Sequence, residues 1–104
     1  MDIQSILDNC QGFQWDKGNS LKSWLRHHVT EGDAEQVFFN EPLLLSEDEW
    51  HSQQENRFRV LGHTDGERYL FIVFTVRKDL VRIISARDMN KKEREIYEKH
   101  KTNA

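Results

Sequence analysis

Three runs of β-branched and aromatic residues, separated by two turn signals, constrain the fold of this 104-residue chain more than any other feature. The runs occupy residues 57–64, 68–77 and 80–87, and their composition is typical of β-strands. Asp65-Gly66 lies between the first two and predicts a tight hairpin, and Lys78-Asp79 gives a weaker signal between the second and third. The second half of the chain is therefore predicted to fold as a three-stranded antiparallel meander.

The middle strand of this meander carries apolar side chains on both of its faces. One face holds Leu70, Ile72 and Phe74, and the other holds Tyr69, Phe71 and Val73. A strand with two apolar faces lies at the centre of a sheet and is covered, at least in part, on both sides. We therefore expect other elements of the chain to pack on each face.

The start of the chain shows the 3.6-residue periodicity of an amphipathic helix. Four residues fall on one stripe and predict a helix over residues 2–10 that ends by Gly12. They are Ile3, Ile6, Leu7 and Cys10. Apolar and polar residues alternate over residues 13–15, which predicts a short strand after this helix.

Two further helices are predicted before the meander. Asn19 is placed to cap the first of them, whose apolar stripe consists of Leu21, Trp24, Leu25 and His28. Thr30 is placed to cap the other, whose buried face consists of Ala34, Val37 and Phe38. A short strand is expected over residues 43–45, and the acidic, polar segment 46–56 is interpreted as a loop.

Asn90 and Glu93 have the spacing of a capping box, in which each side chain bonds the backbone amide of the other residue. This motif predicts a basic, highly charged helix that runs to about residue 99. Its apolar contacts are expected to come mainly from Ile96, with Tyr97 and Met89 as helpers. Residues 101–104 are expected to fray.

Length and composition exclude several classes of protein. The length fits one domain, and Cys10 is the single cysteine, which excludes an internal disulfide framework and fits a reducing cytosol. The longest apolar run, residues 69–76, is far shorter than the roughly 20 residues that cross a bilayer. The N-terminus shows no basic stretch followed by an apolar core, so no secretory signal is expected.

Charge is divided unevenly between the two halves of the chain, whose formal net charge is −3. Residues 1–56 carry three basic and eleven acidic residues, whereas residues 57–104 carry twelve basic and seven acidic residues. This split predicts an anion-binding surface on a globally acidic protein. An ordinary solvated charged face is the alternative explanation, and charged surface is the default in soluble proteins.

The sequence contains no recognisable metal or phosphate-loop motif. The five histidines show no His-x-x-x-His spacing, there is no cysteine pair, and no glycine-rich phosphate loop is present. We therefore expect neither a metal ion nor another cofactor. Arginine side chains remain as candidates for anion binding, because the guanidinium group stays charged and donates paired hydrogen bonds to phosphate.

Four arginines in the predicted meander are the main anion-binding candidates. They are Arg57, Arg77, Arg82 and Arg87. Arg57 and Arg59 share one face of a strand because they are two residues apart. Arg82 and Arg87 are five residues apart, so a regular strand would place them on opposite faces. They converge only if the strand bends near Ser85 or Ala86.

Side chains suited to acid–base chemistry are scattered along the chain. They are Glu55, Glu93, His27 and His51. Their spacing alone does not assemble an active site. The two glutamates are equally well explained as structural partners of the arginines, and a single histidine on a helix is more often a packing residue.

Several short motifs follow one another along most of the chain. They are Phe13-Gln14-Trp15-Asp16, Gly18-Asn19, Lys22, Arg26-His27-His28-Val29, Ala34-x-x-Val37-Phe38-Phe39-Asn40, His51-Ser52-x-x-Glu55-x-Arg57-Phe58, Gly62-x-Thr64, Phe74-Thr75-Val76-Arg77, Arg82-Ile83-Ile84-Ser85-Ala86-Arg87 and Lys92-Glu93-x-x-x-Tyr97. In this order and spacing they resemble the BrnT family of toxins from bacterial type II toxin–antitoxin modules. The chain departs from the family at Ser23, Arg26 and His28, where asparagine, lysine and a helix-ending glycine are usual.

The resemblance implies an α+β fold of the RelE-like ribonuclease type. N-terminal helices would pack on a twisted antiparallel sheet that is followed by a C-terminal helix. The whole chain, residues 1–104, would form a single toxin domain. The helix within residues 1–11 would be an addition to it, because it is not a general feature of the family.

The resemblance also implies metal-independent RNA cleavage that inhibits translation in the cytoplasm. The expected partner is a BrnA-like ribbon-helix-helix antitoxin, in a heterotetramer of two toxins and two antitoxins that binds DNA only through the antitoxin. No membrane association is expected.

Site residues follow from combining this resemblance with the chemistry of the side chains. Arg57, Arg77, Arg82 and Arg87 are expected to bind phosphate, with Glu55 or His27 as the proton-transfer group. The expected RNA-binding residues are Trp15, Lys22, Arg26 and Tyr97, of which the two aromatic residues would stack on a base. Core packing is the more common role for a residue such as Trp15.

Two other functions fit the same residues. A basic sheet face with aromatic side chains can hold single-stranded RNA without cutting it. A protein-interaction domain can use the acidic segment 41–55 and the basic half to dock oppositely charged partners. RNA binding without cleavage products would indicate the first function, and partner binding without salt-dependent RNA binding would indicate the second.

Overall fold

Four helices and five strands form within residues 2–48 and 55–103, which are the residues that the computed structural model describes. In chain order they are α1 (Ile3–Asp8), β1 (Gly12–Phe13), α2 (Lys22–His27), α3 (Glu31–Val37), β2 (Leu44–Glu47), β3 (Arg57–His63), β4 (Tyr69–Arg77), β5 (Leu80–Asp88) and α4 (Lys91–Asn103). The predicted α+β class, with helices before the sheet and one after it, is confirmed. None of these helices is long and apolar enough to cross a membrane.

The five strands form one sheet in the order β1-β5-β4-β3-β2. The predicted meander β3-β4-β5 is confirmed, with β4 at the centre. The sheet is nevertheless mixed rather than wholly antiparallel, because β1 pairs in parallel with the start of β5. Its two residues, Gly12 and Phe13, form a shorter strand than residues 13–15 predicted.

Both predicted turns are confirmed. The Thr64 amide donates to the Arg68 carbonyl across the turn that contains Asp65-Gly66. Lys78 and Asp79 both have positive φ, at 52° and 62°, which is the conformation of a two-residue hairpin turn of type I′. The meander is thus joined by turns short enough to fix its register.

One face of the sheet forms the main hydrophobic core with the helices that precede β2. Its central side chains are Phe58, Val60, Leu70, Ile72, Phe74 and Ile83, all buried. α3 packs closely on this face at Gly62, where a Cβ atom would lie 2.5 Å from the Val37 Cγ1 atom. Thr30 begins α3 with a complete capping box, as its position predicts.

α4 packs on the opposite face of the sheet, so β4 is covered on both sides. Tyr97 is its main anchor, with no exposed surface, whereas Ile96 remains 42% exposed, which corrects the prediction. Consecutive helical residues point about 100° apart, so only one of these two can face the sheet. The Tyr97 hydroxyl donates to the Pro42 carbonyl at 2.6 Å and lies 2.8 Å from Nδ1 of His63.

The start of α4 agrees with the sequence prediction, and its end does not. The capping box is confirmed, since the Glu93 amide donates to Asn90 Oδ1 and the Asn90 amide donates to Glu93 Oε1. The predicted end near residue 99 is wrong, because the helix continues to Asn103. The Lys101 ammonium group donates to Glu67 on the β3–β4 turn and so holds this last part of the helix against the sheet.

Three predictions for the first half of the chain need correction. α1 ends at Asp8, well before Gly12, and Gly12 belongs to β1. α2 begins at Lys22 without a side-chain cap, because Asn19 is used elsewhere. The acidic segment 46–56 starts inside β2, whose last residues are Ser46 and Glu47. Residues 49–54, which include the candidate His51, lie outside the described part of the chain.

A one-residue β-bulge in β5 changes the direction of its side chains. Val73 pairs with Ser85 and its neighbour Phe74 pairs with Ile83, so Ile84 is an extra residue on β5. Such a bulge reverses the facing of every later residue relative to a regular strand. Arg82 and Arg87 therefore project from the same face, as the bend considered in the sequence required.

Two side chains bond β5 on either side of this bulge. The buried Asn19 side chain donates to the carbonyls of Ile83 and Gln14, at 3.0 and 2.9 Å, and its own carbonyl accepts from the Asp16 amide. Ser23 Oγ accepts from the Ala86 amide at 2.8 Å. These bonds replace a neighbouring strand at the edge of β5 beyond β1.

Replacement of Asn19 by alanine is expected to lower the free energy of unfolding by about 2–3 kcal/mol, because it leaves buried carbonyls without donors. Urea denaturation followed by circular dichroism measures this change. Asn9→Ala is the matched control: the Asn9 side chain is exposed and donates to the Ser5 carbonyl of its own helix, so the change should stay within about 0.5 kcal/mol. Equal losses in both variants would show that Asn19 does not brace the bulge.

Candidate active site

Five arginines project from the face of the sheet that carries α4, and we call this group the arginine face. They are Arg57, Arg59, Arg77, Arg82 and Arg87. Arg57, Thr75 and Arg82 lie in one row across three strands, and Arg77 lies two residues beyond Thr75. α4 packs on the far end of the same face, around Tyr69 and His63, and meets the arginine face at its own first turn, where Glu93 bonds Arg87.

Within the described residues, carboxylates hold Arg77, Arg82 and Arg87. Arg77 bonds Glu55 through two hydrogen bonds of 2.9 Å, and Arg82 bonds Asp16 through two of 2.7 and 3.0 Å. A paired geometry of this kind fixes the plane of the guanidinium group. The Arg82 side chain is only 12% exposed, whereas that of Arg77 is 48% exposed, so Arg77 is the more accessible to a ligand.

Arg87 is the third paired arginine and links the sheet to α4. It bonds both carboxylate oxygens of Glu93, at 2.8 and 3.0 Å, and its guanidinium carbon lies 4.2 Å from the centre of the Phe71 ring. Glu93 is also the acidic member of the capping box. The start of α4 and the end of β5 are thus joined by one carboxylate.

The charges of the arginine face act on the acids beside it. The hydrogen bond from Arg77 lowers the pKa of Glu55, and the charges of Arg57 and Arg82 lower it further. The hydrogen bond from Arg82 lowers the pKa of Asp16 in the same way. All three arginines are therefore near enough to Glu55 for their charges to stabilise its ionised form.

The pKa of Glu93 reflects two opposed effects. Partial burial raises it, but the hydrogen bonds from Arg87 and the Asn90 amide, with the charges of Arg87 and Arg59, leave it below its usual value. Glu93 is therefore an ionised partner of Arg87 at neutral pH.

Glu55 is positioned by the centre of the sheet. The buried Thr75 hydroxyl donates to the Asn56 carbonyl at 2.7 Å and so ties the segment that follows Glu55 to β4. Thr75 lies between Arg57 and Arg82 in the cross-strand row. Glu55 is thus held next to Arg77 and within reach of the charges of Arg57 and Arg82.

Other predicted site residues lie elsewhere. Lys22, Arg26 and His27 belong to α2, which lies along the outer edge of β5 and contributes Ser23 to the bulge. The His27 carbonyl accepts a hydrogen bond from Arg68, which pairs with Asp88 on the core side of the sheet. The structure does not bring these residues into the arginine face.

Neither predicted stacking residue presents a ring at the arginine face. Trp15 is half-buried against the core, and its indole N–H donates to Glu35 at 2.7 Å. Tyr97 has no exposed surface, so its ring offers no face on which a base could stack. The same burial raises the pKa of its hydroxyl to about 12. Tyr97 is therefore corrected from an RNA-binding residue to the anchor of α4.

Phe71, Asp16 and Arg59 also lie at the arginine face, and the sequence pattern does not assign them there. The alternation of β4 places Phe71 only on an apolar strand face, and nothing local marks it as the neighbour of Arg87. Asp16 meets Arg82 across 66 positions of sequence. The even spacing of Arg57 and Arg59 was a signal that Arg59 joins the group.

The arrangement favours anion chemistry. Where the structure describes side chains, at residues 2–48 and 55–102, no three His, Cys, Asp or Glu residues form a metal-binding group. Guanidinium groups held in fixed orientations stabilise charge on a phosphate without reorganising as the charge develops. The arginine face can therefore bind a phosphodiester and stabilise the transition state for its cleavage.

Comparison with known proteins agrees with this chemistry. The family model described as the ribonuclease toxin BrnT of type II toxin–antitoxin systems matches residues 15–93. This match includes every residue of the arginine face, with Asp16, Glu55 and Glu93, but not α1. A search of curated proteins found no match. The family match covers most of the chain, and we conclude that this chain belongs to the BrnT family of ribonuclease toxins.

Proposed function

We propose that the arginine face is the catalytic surface of this ribonuclease and that Arg57, Arg77, Arg82 and Arg87 stabilise the phosphate as RNA is cut. The common facing of Arg82 and Arg87 across the bulge is the observation that carries this proposal. Preorganised donors typically contribute about 10²–10³-fold each to the rate.

The carboxylate partners fit this role. Five like charges on one face repel each other, and Asp16, Glu55 and Glu93 offset that repulsion in the absence of RNA. A guanidinium group has five N–H donors, and each carboxylate contact uses two of them. RNA phosphate would bind through the remaining donors or displace the carboxylate from the more exposed Arg77.

Glu55 is proposed as the group that accepts the proton of the attacking 2′-hydroxyl. It lies among the arginines, whereas His27 lies on α2 at the sheet edge. A lowered pKa makes Glu55 a weak base, but it also keeps the carboxylate ionised across the physiological range. Displacement of Arg77 by phosphate would release a free carboxylate next to the substrate.

The proposed biological role is metal-independent RNA cleavage that inhibits translation in the cytoplasm, restrained by a BrnA-like ribbon-helix-helix antitoxin. We expect two toxins and two antitoxins in the complex, which would bind DNA only through the antitoxin and would not associate with a membrane. The toxin domain would span residues 1–104, with α1 as an addition.

An apolar surface on α2 supports the need for a partner. The stripe predicted for this helix is not buried: Leu21, Trp24 and Leu25 are 62%, 43% and 77% exposed. A helix of a monomer normally turns such a stripe toward its own core. We propose that the antitoxin covers this stripe.

The purified chain is expected to cleave RNA in the presence of EDTA. Arg77→Ala and Arg87→Ala should each lower kcat by about 10²–10³-fold because each removes a phosphate donor. Circular dichroism must show an unchanged fold. Lys99→Ala, on the exposed side of α4, is the control for loss of one positive charge and should remain active. Full activity in both arginine variants would remove these residues from the mechanism.

The pH dependence of cleavage distinguishes the two proton-transfer candidates. Arg77 lowers the pKa of Glu55, so Glu55 stays ionised until the pH falls below the usual pKa range of a glutamate. We therefore expect kcat/KM to hold from neutral pH down to about 4.5 and to fall only below it. Glu55→Gln should abolish cleavage at all pH values. Loss of cleavage in His27→Gln, with Glu55→Gln still active, would assign the role to His27 instead.

Substitution of Leu25 by aspartate is expected to prevent complex formation with the product of an adjacent ribbon-helix-helix gene. Light scattering of the co-expressed proteins should give the mass of two toxins and two antitoxins for the wild type and of free toxin for Leu25→Asp. RNA cleavage by the purified variant should be unchanged. Glu98→Asp on α4 should still form the complex. An intact complex of Leu25→Asp would exclude α2 as the contact.

A further inference from the structure

An apolar groove lies on the same face of the sheet, beside the arginine face. It has a volume of about 510 Å³, within the range of small-ligand sites. Leu61 and Phe71 form its floor, Leu44 of β2 lines one side, and Ile96 and His100 of α4 line the other. The Ile96 side chain, which is 42% exposed, lies at this groove.

The floor of the groove and the proposed catalytic surface are parts of one cross-strand row. Leu44 pairs with Leu61, Leu61 with Phe71, and Phe71 with Arg87. The row is thus apolar across three strands and ends at a guanidinium group that lies 4.2 Å from the Phe71 ring. Arg59 lines the groove from the next row toward Arg57 and Arg82.

This combination matches the two parts of a nucleotide. A base needs apolar or aromatic surface to stack on, and its phosphate needs cationic donors within one nucleotide of that surface. The groove supplies Phe71 for the first, and Arg87 and Arg59 supply the second. An apolar peptide in the groove would cover Arg87 and Arg59 with apolar side chains. No hydrogen bond from such a peptide would compensate for the desolvation of the two guanidinium groups.

Building on the proposed function, we propose that this groove binds the nucleobase adjacent to the phosphate that is cleaved. Phe71 and Leu61 support the ring, Arg87 binds the cleaved phosphate on one side of this nucleotide, and Arg59 binds the phosphate on its other side. Ile96 sets the width available to the base, so the groove contributes to the choice of cleavage sequence.

The first test couples one protein side chain to one base. The probe is a short RNA with 2′-O-methyl groups that block cleavage, in which a single abasic nucleotide is moved along the strand, and anisotropy measures affinity. Phe71→Leu keeps an apolar floor but removes the aromatic ring, and is expected to weaken binding of intact RNA about tenfold, near the lower end for base–aromatic stacking. At the position whose base occupies the groove, the abasic nucleotide combined with Phe71→Leu should weaken binding no more than either change alone.

Phe39→Leu is the matched control, since Phe39 is 78% exposed next to α3 and packs edge-on against Phe13, away from the groove. It should change neither the affinity nor the pattern. Additive losses at every abasic position would overturn the proposal. Loss of antitoxin binding by Phe71→Leu without any coupling to RNA would also overturn it and assign the groove to the partner.

A second variant keeps the test valid if Phe71→Leu does not fold. Ile96→Phe enlarges a partly exposed residue of α4 without changing charge, and narrows the groove. The cleavage preference at the coupled nucleotide should shift from purine toward pyrimidine, and an unchanged preference would contradict the proposal. Arg77→Ala tests the catalytic surface separately, so the groove can fail while the proposed function stands.

Discussion

A single extra residue in β5 determines whether Arg82 and Arg87 share one face of the sheet. Without Ile84, Arg82 and Arg87 would lie on opposite faces of the sheet, one of them directed toward the hydrophobic core. The bulge is held from outside the strand by Asn19 and Ser23, which bond the backbone on either side of it. The bulge, braced by Asn19 and Ser23, thus brings Arg82 and Arg87 to one face. Neither Asn19 nor Ser23 adds a charge to that face.

The concentration of positive charge is tolerated because it is partly neutralised and oriented. Asp16, Glu55 and Glu93 reach the arginines from three separate segments, before α2, before β3 and at the start of α4. Each of these carboxylates has a lowered pKa, which means that it is stabilised in its ionised form by the same arginines that it holds. The site is therefore preorganised by interactions that also contribute to the fold.

The two apolar faces of β4 explain why the site lies at one end of the sheet. One face is buried by the N-terminal helices, and α4 buries the other only around Tyr97. In the described part of the chain, Phe71 lies on the rest of that second face, between α4 and Arg87. A groove and a charged surface on one face follow from a C-terminal helix that covers only part of the sheet.

Local sequence patterns determined the elements whose causes are local. The hairpin turns, the capping boxes at Thr30 and Asn90, and the two-faced central strand depend on residues within a few positions of one another. The charge asymmetry and the arginines in the meander likewise pointed to the half of the chain that carries the arginine face. The order and spacing of the motifs indicated the family that the comparison then matched.

Tertiary structure alone decided the facing of Arg82 and Arg87, the role of Tyr97 and the use of Asn19. The first depends on a one-residue change in strand register, fixed by a hydrogen bond across 64 positions of sequence. The second depends on a rotation of about 100° between adjacent helical residues, which periodicity cannot assign when only two apolar side chains are present. Asn19 has the local character of a helix cap, but the carbonyls of Gln14 and Ile83 accept its side-chain hydrogen bonds instead.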